Sequence, residues 1–283
     1  MIGLLIVILI IAIIIWVVYN LLIDEIKSLE IQSYKRKCME KYFSLPLYPP
    51  TVATDRYDIT LAKYLLGMSL NVELSNCKKL GALPSVFGFS AKEIIGTVLG
   101  KERMLGYVYT SPQAIIIVFT GTVFVDEWTE DAEISQIPID RLNGSQGGQK
   151  AHKGFYDMYI SFQEVLKAHI KKMHVSQTIY ITGHSLGGAL ATLAAFDLNQ
   201  NEPIIYTFAA PRVFNIPGAG QYNSLVTYTY RIHNTEDIFT SLPLPVIFGV
   251  DYEHVGDGGI PFTNNLGSMS ENHTDAYAIH FKL

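Results

Sequence analysis

Apolar residues are spread along this chain in three different patterns. From Ile2 to Tyr19 they run almost unbroken, with no charge and no proline, and they resume at 21–23 after Asn20. An α-helix of about 20 apolar residues crosses a hydrocarbon layer of about 30 Å. Trp16 and Tyr19 lie near the end of the run, where amphipathic rings sit at an interface. A cleaved signal peptide needs a basic start, a shorter apolar core and small residues at the cut. Only the α-amine precedes this run, and Tyr19-Asn20-Leu21-Leu22 offers no small pair. Residues 1–23 therefore read as a retained transmembrane anchor, with 2–23 as the span.

The second pattern is polar. Residues 24–42 carry only scattered apolar positions (Leu29, Ile31, Met39) and read as a weak helix or stalk. Leu45-Pro46-Leu47-Tyr48-Pro49-Pro50 then forms a stiff linker. Stalk and linker together cover 24–54, and 55–283 reads as one domain.

In that domain the pattern is periodic. Ile59, Leu61, Tyr64, Leu65 and Met68 predict an amphipathic helix over 57–70. From about Leu105, short β-branched runs alternate with helical spacing. Strands are predicted at 114–119, 177–182, 203–208 and 225–232, and helices at 154–173 and 189–198. Such alternation predicts an α/β fold of the α/β-hydrolase kind, a mostly parallel central sheet flanked by helices.

Composition narrows the function. With 49% hydrophobic and 17% charged residues among 283, the chain can bury a large core and is not disordered. A net charge of −5 with no long Lys/Arg block argues against nucleic acid as a partner. Cys38 and Cys77 are too few for a disulfide framework, and their pairing is left open. Neither a metal nor a cofactor is expected.

The strongest chemical signal is Gly183-His184-Ser185-Leu186-Gly187, a G-x-S-x-G between a predicted strand and a predicted helix. A serine there sits on a sharp turn with its Oγ projecting from the strand end. The free N–H groups of the following helix favour negative charge beside it. An α/β-hydrolase triad runs Ser, then Asp or Glu, then His along the chain. After the strand at 225–232, both Glu236 and Asp237 qualify as the acid. His254, His273 and His280 follow, and His273 lies in a polar loop able to fold back over the elbow. An oxyanion hole needs two donors. The Leu186 N–H is one, and Thr122, in the Thr120-Gly121-Thr122 turn after the strand at 114–119, is the other.

At these residues the chain resembles the class 3 lipases, the fungal-lipase-like branch of the α/β hydrolases. The resemblance runs from about Tyr107 to the C-terminus. It is carried by Ile117-Val118-Phe119-Thr120-Gly121-Thr122 with Trp128 and Asp131, by His152-Lys153-Gly154-Phe155, and by the elbow from Gly183 to Ala191. Thr207-Phe208-Ala209-Ala210-Pro211-Arg212-Val213 and His254-Val255-Gly256 continue it. It implies Asp237 rather than Glu236 as the acid. It also implies His273, in His-x-x-x-Tyr with Tyr277, as the base. Two departures stand out. The family usually has Arg where Thr120 stands, which implies one buried ion pair fewer. The lid region 123–131 is acidic and weakly amphipathic, against interfacial activation.

The expectation is a membrane-anchored serine hydrolase that cleaves lipid carboxylic esters (triacylglycerol, diacylglycerol or phospholipid) through an acyl-enzyme. A non-lipid carboxylesterase or an acyltransferase would use the same triad. A catalytically silent membrane-bound binding module is disfavoured by the presence of Ser, Asp and His in order. Lys27, Lys35, Arg36, Lys37 and Lys41 follow the span, which predicts a cytoplasmic catalytic domain. Asn272-His273-Thr274 is also a formal glycosylation sequon overlapping the base, which points the same way.

Overall fold

The run AIIIVF is apolar at every position, so it has no face to offer water. It forms a strand buried throughout, Ala114–Phe119, which sits inside a seven-stranded sheet. The computed structural model describes residues 10–21, 43, 45, 49, 55–77, 89–98, 100–121, 135–173, 177–247 and 249–283. In chain order these give helices α1 (10–21) and α2 (Ile59–Cys77), strands β1 (Ser90–Val98), β2 (Lys101–Thr110) and β3 (Ala114–Phe119), and a short pair β4 (Gln136–Pro138) and β5 (Lys150–His152). Then come α3 (Lys153–Ile160), α4 (Gln163–Lys171), β6 (Thr178–His184), α5 (Leu186–Asp197), β7 (Ile204–Phe208), α6 (Ile216–Leu225) and β8 (Tyr228–Asn234). A small hairpin, β9 (Val246–Ile247) and β10 (Val250–Asp251), precedes β11 (Ile260–Phe262), α7 (Met269–His273) and α8 (Asp275–His280).

The sheet order is β1-β2-β3-β6-β7-β8-β11, parallel from β3 onward and antiparallel at the β1 and β2 edge. Side chains of β3 alternate between two cores. Ile115, Ile117 and Phe119 pack with α3, α4 and α5, while Ile116 and Val118 pack with α2. Helix α5 is buried along its whole length, and its small residues Ala189, Ala191, Ala194 and Ala195 let it lie close on the sheet.

Two local expectations need correction. The single helix predicted over 154–173 is two helices. Ser161 Oγ accepts from Thr97 N at 2.8 Å, tying the break to strand β1, and the Phe162 ring turns inward 5.7 Å from that of Phe119. The β1–β2 hairpin and α6 lie outside the predicted strands and helices. Helix α6 is marked by Asn215, whose side chain caps it, and by a proline in its first turn.

The expected anchor is described only in part. Of the span expected at 2–23, residues 10–21 are described, and they form α1 with Ile13, Ile14, Trp16, Val18 and Leu21 exposed. Among the described residues no helix is long and apolar enough to cross a membrane. The rest of that span, the stalk at 24–42, and Cys38 lie outside the described residues. Near the end of α1, Tyr19 packs against the pair Phe239 and Leu242, as Ile238 and Met269 also do.

Candidate active site

Strand β6 ends at His184 and helix α5 begins at Leu186, so Ser185 alone makes the turn. It does so with φ 56° and ψ −124°, a conformation that costs an L-residue of order 1–3 kcal/mol. The flanking glycines make the turn sterically possible. A Cβ on Gly183 would lie 2.2 Å from the Gly187 carbonyl, and one on Gly187 would lie 2.5 Å from the Phe119 carbonyl oxygen. The Ser185 N–H donates to the Phe208 carbonyl at 2.9 Å, which fixes the turn to the next strand.

The Ser185 hydroxyl lies 2.8 Å from His273 Nε2, and His273 Nδ1 lies 2.8 Å from Asp237 Oδ2. All three residues are buried. Asp237 follows strand β8 and caps a short 3-10 turn, Ile238–Ser241, with Oδ1 accepting from Phe239 N at 3.0 Å. Its Oδ2 also accepts from the Tyr277 hydroxyl at 2.9 Å. Burial first, then the Asp237 charge, push the Tyr277 hydroxyl well above its ordinary value, so it stays a donor. A carboxylate at Nδ1 fixes the imidazole tautomer. Nδ1 carries the proton, and the Nε2 lone pair faces the Ser185 hydroxyl. The Phe239 ring stacks on His273 at 4.1 Å and covers its face.

His273 ends helix α7, whose start is capped by Ser268. Asn272 pins the same turn. Its Nδ2 donates to the Glu236 carbonyl at 3.2 Å and its Oδ1 accepts from Leu266 N at 2.7 Å. Asn272 is therefore buried and bonded, and a glycan on its amide is incompatible with this packing. Behind His273, His184 Nε2 lies 2.8 Å from the His273 carbonyl and His184 Nδ1 lies 3.0 Å from Glu73 Oε1.

The alternative residues are engaged elsewhere. Glu236 is exposed and accepts from Asn265 Nδ2 at 3.0 Å. His254 Nε2 donates to the Thr240 carbonyl at 2.8 Å. Burial, then Arg231 and Arg212, push its pKa down to about 3. His280 stacks on Phe262 at 4.1 Å. Leu186, the first residue of α5, is buried beside Ser185, where a helix leaves its first N–H groups without intrahelical acceptors. Thr122 and the lid region 123–131, with Trp128 and Asp131, lie outside the described residues. The segment leading to Thr122 is described as far as Gly121, with the Thr120 hydroxyl donating to the Gly121 carbonyl at 3.1 Å.

Residues 116–247 match the family model for lipase (class 3). This core is similar to the class 3 lipases. The chain is 35% identical over 158 residues to a lipase of Rhizomucor miehei, a match that covers 52% of this chain and 41% of that one. It is 30% identical over 161 residues to a chloroplastic phospholipase A(1) of Arabidopsis thaliana, covering 50% of this chain and 36% of the relative. The chain thus spans less than half the length of either. A solved Rhizomucor miehei lipase–propeptide complex, in a deletion mutant, superposes with a TM-score of 0.58 at 28% identity, over 72% of this chain and 66% of that one.

Two residues beside the site go beyond what the elbow motif and triad order point to. Phe239 covers the face of His273 and Glu73 lies behind His184. Phe239 follows Asp237 closely, so a search for an apolar residue beside the acid finds it. Nothing in the sequence links Glu73 to the elbow 111 residues away.

Proposed function

We propose that this chain is a serine carboxylic ester hydrolase acting on lipids. The observation that carries the reading is the unbroken line from Asp237 through His273 to Ser185, with both links at 2.8 Å. Ser185 Oγ attacks the acyl carbon as its proton passes to His273 Nε2. The leaving alcohol takes that proton and an acyl-enzyme remains. Water then attacks, His273 accepts its proton, and the carboxylic acid departs with Ser185 restored. Asp237 holds the Nδ1–H and stabilises the imidazolium without accepting a proton. The Leu186 N–H and Thr122 receive the oxyanion.

Similarity to a lipase and to a phospholipase supports a lipid ester as substrate. So does the apolar N-terminus. In this reading residues 2–23 anchor the chain, and Tyr19 brings the end of α1 to the cluster with Phe239, whose ring covers the base. The catalytic domain lies on the cytoplasmic side, because Lys27, Lys35, Arg36, Lys37 and Lys41 follow the span.

The test is incubation of the chain with acylglycerols, phospholipids and short esters, with products read by mass. Release of free fatty acid from lipid is expected. Turnover of short esters alone would overturn the lipid assignment, and turnover of none would overturn the activity. Protease digestion of sealed vesicles with the cytoplasmic face outward tests the side. A domain that survives until detergent is added would overturn a cytoplasmic placement.

A further inference from the structure

Helix α2 supplies one face of the core, and most of its side chains there are apolar. Glu73 breaks that pattern. It is buried, with 8% of its side chain exposed, and a buried carboxylate without a partner costs several kcal/mol. Its partner is the elbow itself. Glu73 Oε1 lies 3.0 Å from His184 Nδ1, and His184 Nε2 lies 2.8 Å from the carbonyl of His273.

The proton count follows from the acceptors. A backbone carbonyl only accepts, so His184 Nε2 carries a hydrogen. Nδ1 and Oε1 then share a second proton. The imidazolium–carboxylate and imidazole–carboxylic acid forms both leave the pair neutral. In either form Nε2–H stays aimed at His273. Remove the carboxylate, and a neutral His184 is free to move its proton to Nδ1. A bare Nε2 lone pair would then face a carbonyl, and the contact would be lost.

His184 and Ser185 are adjacent, so two consecutive elbow residues hold the same histidine. Ser185 meets its ring and His184 meets its backbone. The same carboxylate fills the space beside Gly121, where a Cβ would lie 2.2 Å from Oε1. We propose that Glu73 is a positioning residue for the base, acting through His184 to hold His273 within reach of Ser185. The inference rests on the triad reading given above.

The experiment compares the full-length wild type with Glu73→Leu and Glu73→Gln. The kcat is expressed per site titrated to completion with a fluorophosphonate, so that misfolded chains do not count. Small displacements of a reacting group cost up to about 100-fold in rate. Glu73→Leu is therefore expected to lower kcat about 10- to 100-fold, with little change in KM. The glutamine amide can donate to Nδ1 and keep Nε2–H in place, so Glu73→Gln is expected to recover most of the loss. Histidine 15N NMR provides a readout independent of turnover. His184 should keep a hydrogen on Nε2 in the wild type, whichever partner holds the shared proton, and in Glu73→Gln, and exchange between tautomers in Glu73→Leu. A Glu73→Leu variant with wild-type kcat per titrated site would overturn the proposal. So would a glutamine variant as slow as the leucine one, or an unchanged His184 signal in Glu73→Leu. A wild type that hydrolyses no ester would instead count against the triad reading.

Discussion

Two histidines flank the turn Ile238–Ser241, and the regions around them differ in kind. His273 meets the carboxylate of Asp237 at 2.8 Å, and His254 meets the carbonyl of Thr240 at the same distance. His273 touches a second side chain that can exchange a proton, the Ser185 hydroxyl. His254 sits near Arg231 and Arg212, which with burial keep it neutral far below its ordinary range. Residue type is thus shared, and it alone does not make a base. A base needs an acceptor on one nitrogen that welcomes positive charge and a labile proton on the other. His254 has a carbonyl and two cations instead, so its work is to brace the turn that carries Asp237.

The largest expected effect separates the two directly. Ser185→Ala and His273→Ala should each lose about 10⁴–10⁶ in kcat, because members of a triad act as a unit. Fluorophosphonate labelling should vanish in Ser185→Ala. His254→Gln should keep its activity at neutral pH, since the amide still donates to Thr240. A dead His254→Gln beside a live His273→Ala would reverse the comparison.

Next comes the oxyanion side. Thr122→Ala keeps the N–H and loses the hydroxyl, so kcat should fall about 10-fold or more, up to the 10²–10³ of a full donor. An unchanged kcat would remove the hydroxyl from the transition state. A smaller loss is expected behind Asp237. Tyr277→Phe deletes the 2.9 Å donor to Oδ2 while keeping the ring. A hydrogen bond to a charged group contributes about 1.5–3 kcal/mol to stability, and most of that is felt equally before and during the reaction, so kcat should fall about 10-fold or less. Steady-state kinetics on a soluble ester reads both, and a Tyr277→Phe enzyme as fast as wild type would make that donor irrelevant to catalysis.

How far the sequence reaches depends on whether a feature is local. The elbow is local: glycine, serine and glycine within five residues, between a β-branched run and an alanine-rich helix. Strand β3 is local too, because a strand buried on both faces must be apolar throughout. Chain order and resemblance narrow the candidates for acid and base, since a loop carboxylate such as Glu236 looks no different from Asp237 until the fold turns one inward. The break at Ser161 and Phe162 was hidden because the apolar spacing runs straight through it. Only the contacts of Ser161 with β1 and of Phe162 with the sheet end the first helix there. Glu73 was hidden for the opposite reason. A lone carboxylate in an apolar helix reads as a solvated edge, and its partner comes from another element.

The smallest effect concerns acid stability. His254 has an ordinary pKa of 6.5 in the unfolded chain and about 3 in the fold, with burial the first cause and Arg231 and Arg212 the next. Between these values the unfolded chain binds a proton that the folded chain refuses. Stability must then fall as the pH falls through that window, and the contribution of His254 is complete only above about pH 6.5. His233 is shifted in the same direction by burial and by Arg231, so the wild type carries more than one such group. Replacing His254 by glutamine removes one and keeps the bond to Thr240. The melting temperature of His254→Gln should therefore decline less steeply than that of the wild type from about pH 7 to about pH 4. At pH 7 the two should melt within a few degrees of each other. Parallel curves across the window would mean that His254 takes up its proton in the folded protein. Its place beside two arginines would then not separate it from His273 in the way drawn above.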